Sequence, residues 1–164
     1  MDPVSVSIVV GRPREEVFDY LRDIANHAEF TDHFLKDWRL TRENSVGRGA
    51  GARFRIEAPL QRFSWAGVSF IEVEAPHRIV EAGRAGKFNR IRTMTIYKLE
   101  PAAGGTTHVE LTSETVPATL SDRIGEAIGV RRWTRRQNKR ALRRLRSILE
   151  EGTGRGARAT IAGG

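Results

Sequence analysis

Val4, Val6 and Ile8 alternate with Ser5, Ser7 and Val9, a two-residue period that predicts a strand with one buried face. Gly11 ends it. Pro13 then opens PREEVFDYLRDI, where acids fill the first turn and Val17, Tyr20, Leu21 and Ile24 recur at helical spacing. NHAEFTDHF reads as a second short helix, with Phe30 and Phe34 one turn apart. From Trp38 onward the chain is strand-like in WRLTREN, ARFRIEA, FSWAGVSFIEVE, RIVEAG, NRIRTMTIYKLE and THVELTSET. The breaks carry turn chemistry: NSVGRGAG, EAPHR, GRAGKFN and PAAGG, where Gly104 and Gly105 allow positive φ. Short antiparallel strands joined by hairpins follow from this pattern.

Beyond Pro117, ATLSDRIGEAIGVRRWTRRQNKRALRRLRSILEE predicts a long C-terminal helix, opened by Thr119 with Asp122 three residues on. Gly125 and Gly129 leave two readings open. Either they bring the start of the helix close to the sheet or hinge it, or they cost ~1 kcal/mol each and the helix begins only near Val130. Residues 152–164, GTGRGARATIAGG, are too poor in apolar side chains to fold alone. The expectation is one domain over residues 1–151 and a flexible Gly/Ala/Arg tail behind it.

Charge changes the picture in one place. Nine of the 28 basic residues lie between Arg131 and Arg146 with no acid among them, leaving 19 bases against 20 acids elsewhere. Projected on a helix, Val130, Trp133 with Thr134, Gln137, Ala141, Leu145 and Ile148 form one stripe, with Ile124, Ile128 and Leu142 beside it, and the other sides are almost wholly arginine. A helix buried along that stripe and solvated elsewhere accounts for every residue in it. The competing reading is a docking surface for anionic membrane or RNA, centred on Arg135, Arg136, Lys139 and Arg140. No helix-turn-helix or zinc-finger spacing points to sequence-specific DNA binding.

The chain has no cysteine, which excludes disulfides, thiolate metal sites and cysteine nucleophiles. It has neither a bilayer-length apolar run nor the basic opening of a signal peptide, so a cytoplasmic location is expected. His27 and His33 are six residues apart, not one helical turn, and no metal is expected. No phosphate loop, nucleotide fingerprint or Ser-His-Asp order is present, so no cofactor is expected either.

Strand, two short helices, a run of antiparallel strands and one long helix is the helix-grip order. VVGRPREEVFDYLRDIANHAEF resembles the opening of the START-like superfamily, which includes Bet v 1-type and polyketide cyclase/dehydrase-like proteins. GRGAGARFRI, FIEVEAPHRIV and GGTTHVEL are similar to its third, fourth and seventh strands. The resemblance spans roughly residues 3 to 150. It implies an α+β helix-grip fold, a curved antiparallel sheet of about seven strands wrapped around the C-terminal helix, with a cavity commonly left between them.

Candidate ligand contacts are Trp133 and Gln137, an aromatic wall and an amide on the buried stripe, with Phe54, Ile56, Trp65, Met94 and Ile96 on the strands. The plainer alternative makes Trp133 ordinary core and gives Gln137 a backbone partner. Met94 and Ile96 share one strand face with Arg92 and Lys98, Thr93, Thr95 and Tyr97 the other; which lines the cavity stays open, as it does for Phe63, Trp65, Phe70 and Ile71. Cyclase or dehydratase chemistry needs a general acid or base, for which His108, Tyr97 and Arg92 are the candidates and Glu110 shares the face of His108. Alternating polar residues more often mark a solvent face. The leading expectation is carriage or binding of a small hydrophobic molecule such as a lipid, polyketide or isoprenoid. Cyclase chemistry in the same cavity, and docking of the basic helix on membrane or RNA, are its rivals.

Overall fold

A computed structural model describes residues 2–59, 64–116 and 129–162. The first strand, β1 (Val4–Val10), buries Val4, Val6 and Val10 as its alternation requires. Pro13 begins the next helix, α1 (Arg14–Leu21), its carbonyl accepting from the amides of Glu16 and Val17, and Val17, Phe18 and Leu21 turn into the core. A 3₁₀ turn (Ile24–Asn26), held by the Asp23 carboxylate accepting from the amide of Ala25, leads into α2 (His27–Thr31).

Six strands follow: β2 (Leu35–Leu40), β3 (Gly51–Ile56), β4 (Trp65–Glu74), β5 (Arg78–Ala85), β6 (Ile91–Ala102) and β7 (Thr106–Val116). They form one antiparallel sheet in the order β1-β7-β6-β5-β4-β3-β2, so β1 closes onto the last strand and β2 is the far edge. β2 starts before the alternation that begins at Trp38. A bulge between Lys36 and Arg39, with Asp37 at a positive φ of 55°, breaks the two-residue period there.

The long helix, α3 (Val130–Glu151), starts directly after Gly129 (φ 81°). Thr119, Asp122, Ile124, Gly125, Ile128 and Phe63 lie outside the described residues. Gly152 (φ 70°) ends α3, and its amide and that of Thr153 satisfy the carbonyls of Ile148 and Ser147. Ala141, Leu142, Leu145 and Ile148 are buried against β1 and α2. Each of the three larger side chains contributes about 2 kcal/mol by leaving water, which fixes the C-terminal half of α3 on the sheet.

Residues 153–162, expected from composition to be flexible, run back along the 3₁₀ turn and α2. The amides of Gly156 and Ala159 donate to Glu29 and Ala25, and the amide of Leu40 donates to Thr160 at the β2 edge. Ala159 is buried, and Arg158 reaches Asp23 and Asn26. A segment that cannot fold alone is tied here by backbone bonds and an arginine, which leave no mark in hydropathy.

Candidate functional site

Directly opposed residues of antiparallel strands share a face. The register therefore decides which side chains look toward α3. Tyr97 pairs with Ile79 and Leu111, and all three are buried, so the inner face of β5, β6 and β7 carries Ile79, Glu81, Thr93, Thr95, Tyr97, Leu99, Val109, Leu111 and Ser113. Burial along this face is graded. Leu99, Tyr97, Val109 and Leu111 are enclosed, whereas Thr93, Thr95 and Ser113 on the same strands are only half-buried. The same gradient runs along α3, from buried Leu145 and Leu142 to half-buried Gln137 and Trp133. At one end sheet and helix meet in a packed core. At the other the described side chains, hydroxyls, an amide and an aromatic ring, are only half-buried.

Where the two regimes meet, α2 and β5 bring His27 and Glu81 together. The imidazole is buried, with Nε2 donating to the carbonyl of Leu21 at 2.7 Å and Nδ1 at 2.8 Å from Oε1 of Glu81, close but not in line for a hydrogen bond. Phe30, Phe70 and Tyr97 surround the ring at centroid distances of 5.3, 5.5 and 5.3 Å. The Glu81 side chain keeps 9% exposure against 2% for His27. Burial and then the charge of Glu81 push the Tyr97 phenol well above its ordinary range, so it stays neutral. Beside them the amide nitrogen of Asn138 donates to the hydroxyl of Ser113 at 2.9 Å, pinning α3 to β7.

This acid–base pair is absent from the candidates read from the sequence. Its members are far apart along the chain, and the one signal for Glu81 was its inward parity with Ile79 in RIVEAG.

Of the sequence candidates, Trp133 stands edge-on to Phe34 at 5.7 Å and half-buried. Gln137 lies one turn further on, its backbone carbonyl accepting from Nε2 of His33 at 3.3 Å. Phe54 is buried against Trp38 at 4.5 Å, and Ile56, of the same parity, is half-buried. These four and Tyr97 share the inner side. Met94, Ile96 and Arg92 have the opposite parity from Tyr97 and lie on the outer face, as do His108 and Glu110, opposite Glu100 and Lys98. Trp65 is 43% exposed with the Arg53 guanidinium over its ring. Arg135, Arg136, Lys139 and Arg140 are exposed on α3.

His33 sits between α2 and α3 with Arg144 beside Nδ1, and Arg144 itself is held by Asp32 and by the carbonyls of Glu29 and Gly154. Burial, together with the positive charges of Arg140 and Arg144, lowers its pKa to about 4 against the raising effects of the Gln137 carbonyl and Asp32. Among the described residues no cluster of three or more His, Asp or Glu side chains is placed to hold a metal, and no helix is long and apolar enough to cross a membrane.

Residues 1–150 match the family described as polyketide cyclase / dehydrase and lipid transport. No curated protein matches the chain by sequence. Solved structures share the fold at low identity. A protein from Nitrosospira multiformis is 18% identical with a TM-score of 0.65, over 92% of this chain and 98% of that one. Truncated norcoclaurine synthase from Thalictrum flavum is 11% identical with a TM-score of 0.68, over 92% and 94%. A protein of the dynemicin biosynthetic locus is 15% identical with a TM-score of 0.62, over 94% of this chain and 49% of its own.

Proposed function

Because the chain belongs to the polyketide cyclase/dehydrase and lipid transport family, we propose that it binds one small, largely apolar molecule carrying a carbonyl or hydroxyl group, between the sheet and the N-terminal half of α3. The observation that carries this reading is the graded burial of the inner face, with Trp133, Thr93, Thr95 and Ser113 still half-exposed while the rest of the same strands and helix is enclosed. A ligand seated there removes apolar surface of Trp133 and Phe34 from water at roughly 25 cal/mol per Å². The threonine hydroxyls and the Gln137 amide satisfy its polar end, so no buried polar group is stranded. Displacement of a fluorescent naphthylamine reporter from the wild type and from Trp133→Ala tests the site. The reporter's affinity is expected to fall in the variant, and unchanged affinity contradicts it.

A second reading is favoured by one observation, the buried His27–Glu81 pair, whose carboxyl belongs to the same inner face. A carboxylate backed by an imidazole is suited to take a proton from carbon next to a ligand carbonyl, with His27 holding Glu81 in place and the neutral Tyr97 phenol nearby as a donor. That arrangement serves cyclisation or dehydration of a poly-β-keto chain. Turnover of a short poly-β-keto thioester, lost in Glu81→Gln while reporter binding is kept, separates catalysis from carriage. Retained turnover in that variant excludes Glu81 as the base.

A further inference from the structure

We propose that the outer face of the sheet carries a second, independent site, for a small organic phosphate with two or more negative groups, built on a row of arginines from Arg39 to Arg92. The register places Arg39 of β2 directly opposite Arg53 of β3, Arg53 opposite Gly67 of β4, Gly67 opposite Arg84 of β5, and Arg84 opposite Arg92 of β6. Four arginines thus stand in one row on one face, interrupted only by a residue without a side chain. At about 4.8 Å per strand the line is roughly 19 Å long.

Like charges directly opposed on neighbouring strands destabilise a sheet. Among the other described bases on these strands Arg55 is matched with Asp37 and Glu57, Arg78 with Glu72, and Lys98 with Glu100, while Lys36, opposite Arg55, is single. Among the described residues none of Arg39, Arg53, Arg84 and Arg92 pairs with a carboxylate, although Glu114 lies on the same face opposite Met94. Four unmatched charges in register are the arrangement an anion would neutralise.

The row borders a groove of about 570 Å³ whose lining includes Arg53, Arg84 and Arg92 together with Gly67, Ser69 and Ala82. That volume suits one small molecule. The stem of Arg53 lies against the bare backbone of Gly67, its Cγ 3.7 Å from where a Cβ would stand, and guanidinium forks grip phosphate oxygens in pairs. Met94, 39% exposed in the groove, and the Trp65 ring beside Arg53 offer apolar surface for the organic part. This face is opposite the one that carries His27, Glu81 and Tyr97, so the two sites are separate.

Isothermal titration with inorganic tripolyphosphate at about 0.15 M ionic strength tests the assignment. Saturable one-to-one binding is expected, weakened about tenfold or more in the double variant Arg84→Ser/Arg92→Ser and unchanged in Arg135→Ser/Arg136→Ser on α3. Thermal melting guards against misfolding. In anion-free buffer the sheet variant is expected to melt no lower than the wild type, since repulsion is relieved, and tripolyphosphate should raise the wild-type midpoint alone. Absence of saturable binding, equal weakening by the α3 variant, or binding seen only with anionic vesicles or a thymidine oligonucleotide overturns the proposal.

Discussion

The imidazole of His27 and the carboxyl of Glu81 meet at 2.8 Å inside the molecule, one from α2 and the other from the middle strand of the sheet. Removing either partner leaves a polar group in an apolar cage of Phe30, Phe70 and Tyr97. Glu81→Ala is expected to destabilise the fold by about 3 kcal/mol. Glu81→Gln should cost less, because it keeps the size of the side chain and a polar group beside Nδ1. Urea unfolding with an unchanged m value measures both, and an alanine cost near zero contradicts the coupling.

His33 sets a pH dependence with a definite sign. Its pKa is about 4 in the fold, below the ordinary 6.5, so between those values the unfolded chain binds a proton that the native chain does not. The stabilisation is complete above pH 6.5 and is lost as the pH falls toward 4. Asp32, Arg140 and Arg144 face the ring and act on it, so replacement must spare them. In His33→Asn the melting midpoint is expected to decline less steeply over that window than in the wild type; parallel profiles count against the assignment.

The segment after α3 is expected to contribute to stability through Ala159, which is buried beside Ala25. Ala159→Arg cannot fit and should cost about 1–3 kcal/mol by overpacking. Arg158→Ala, which loses only partly exposed bonds to Asp23 and Asn26, should cost less. Differential scanning calorimetry ranks the two. Wild-type melting of Ala159→Arg would mean that the segment is not seated in solution.

Elements with a clean period were legible from the sequence. Alternation found β1 and most of β3 to β7, and helical spacing with Pro13 found α1. What periodicity cannot carry is register between strands. Met94 and Ile96 were as good candidates for the inner face as Thr93 and Thr95, until the pairing of Tyr97 with Ile79 and Leu111 decided it. The same information explains why His108, Glu110 and Arg92 lie outside and why Glu81 meets His27. The charge count placed the chain's excess basicity on α3 alone, because four arginines distant in sequence become a row only through pairing.

The central claim is an occupied space between the sheet and the first turns of α3, and native mass spectrometry of freshly purified protein tests it most directly. The wild type is expected to carry a discrete extra mass, released on denaturation and recovered by organic extraction. Trp133→Arg, folded by circular dichroism, is expected to be bare. A bare wild type from several expression hosts, or an adduct equally retained by Trp133→Arg, would contradict the account.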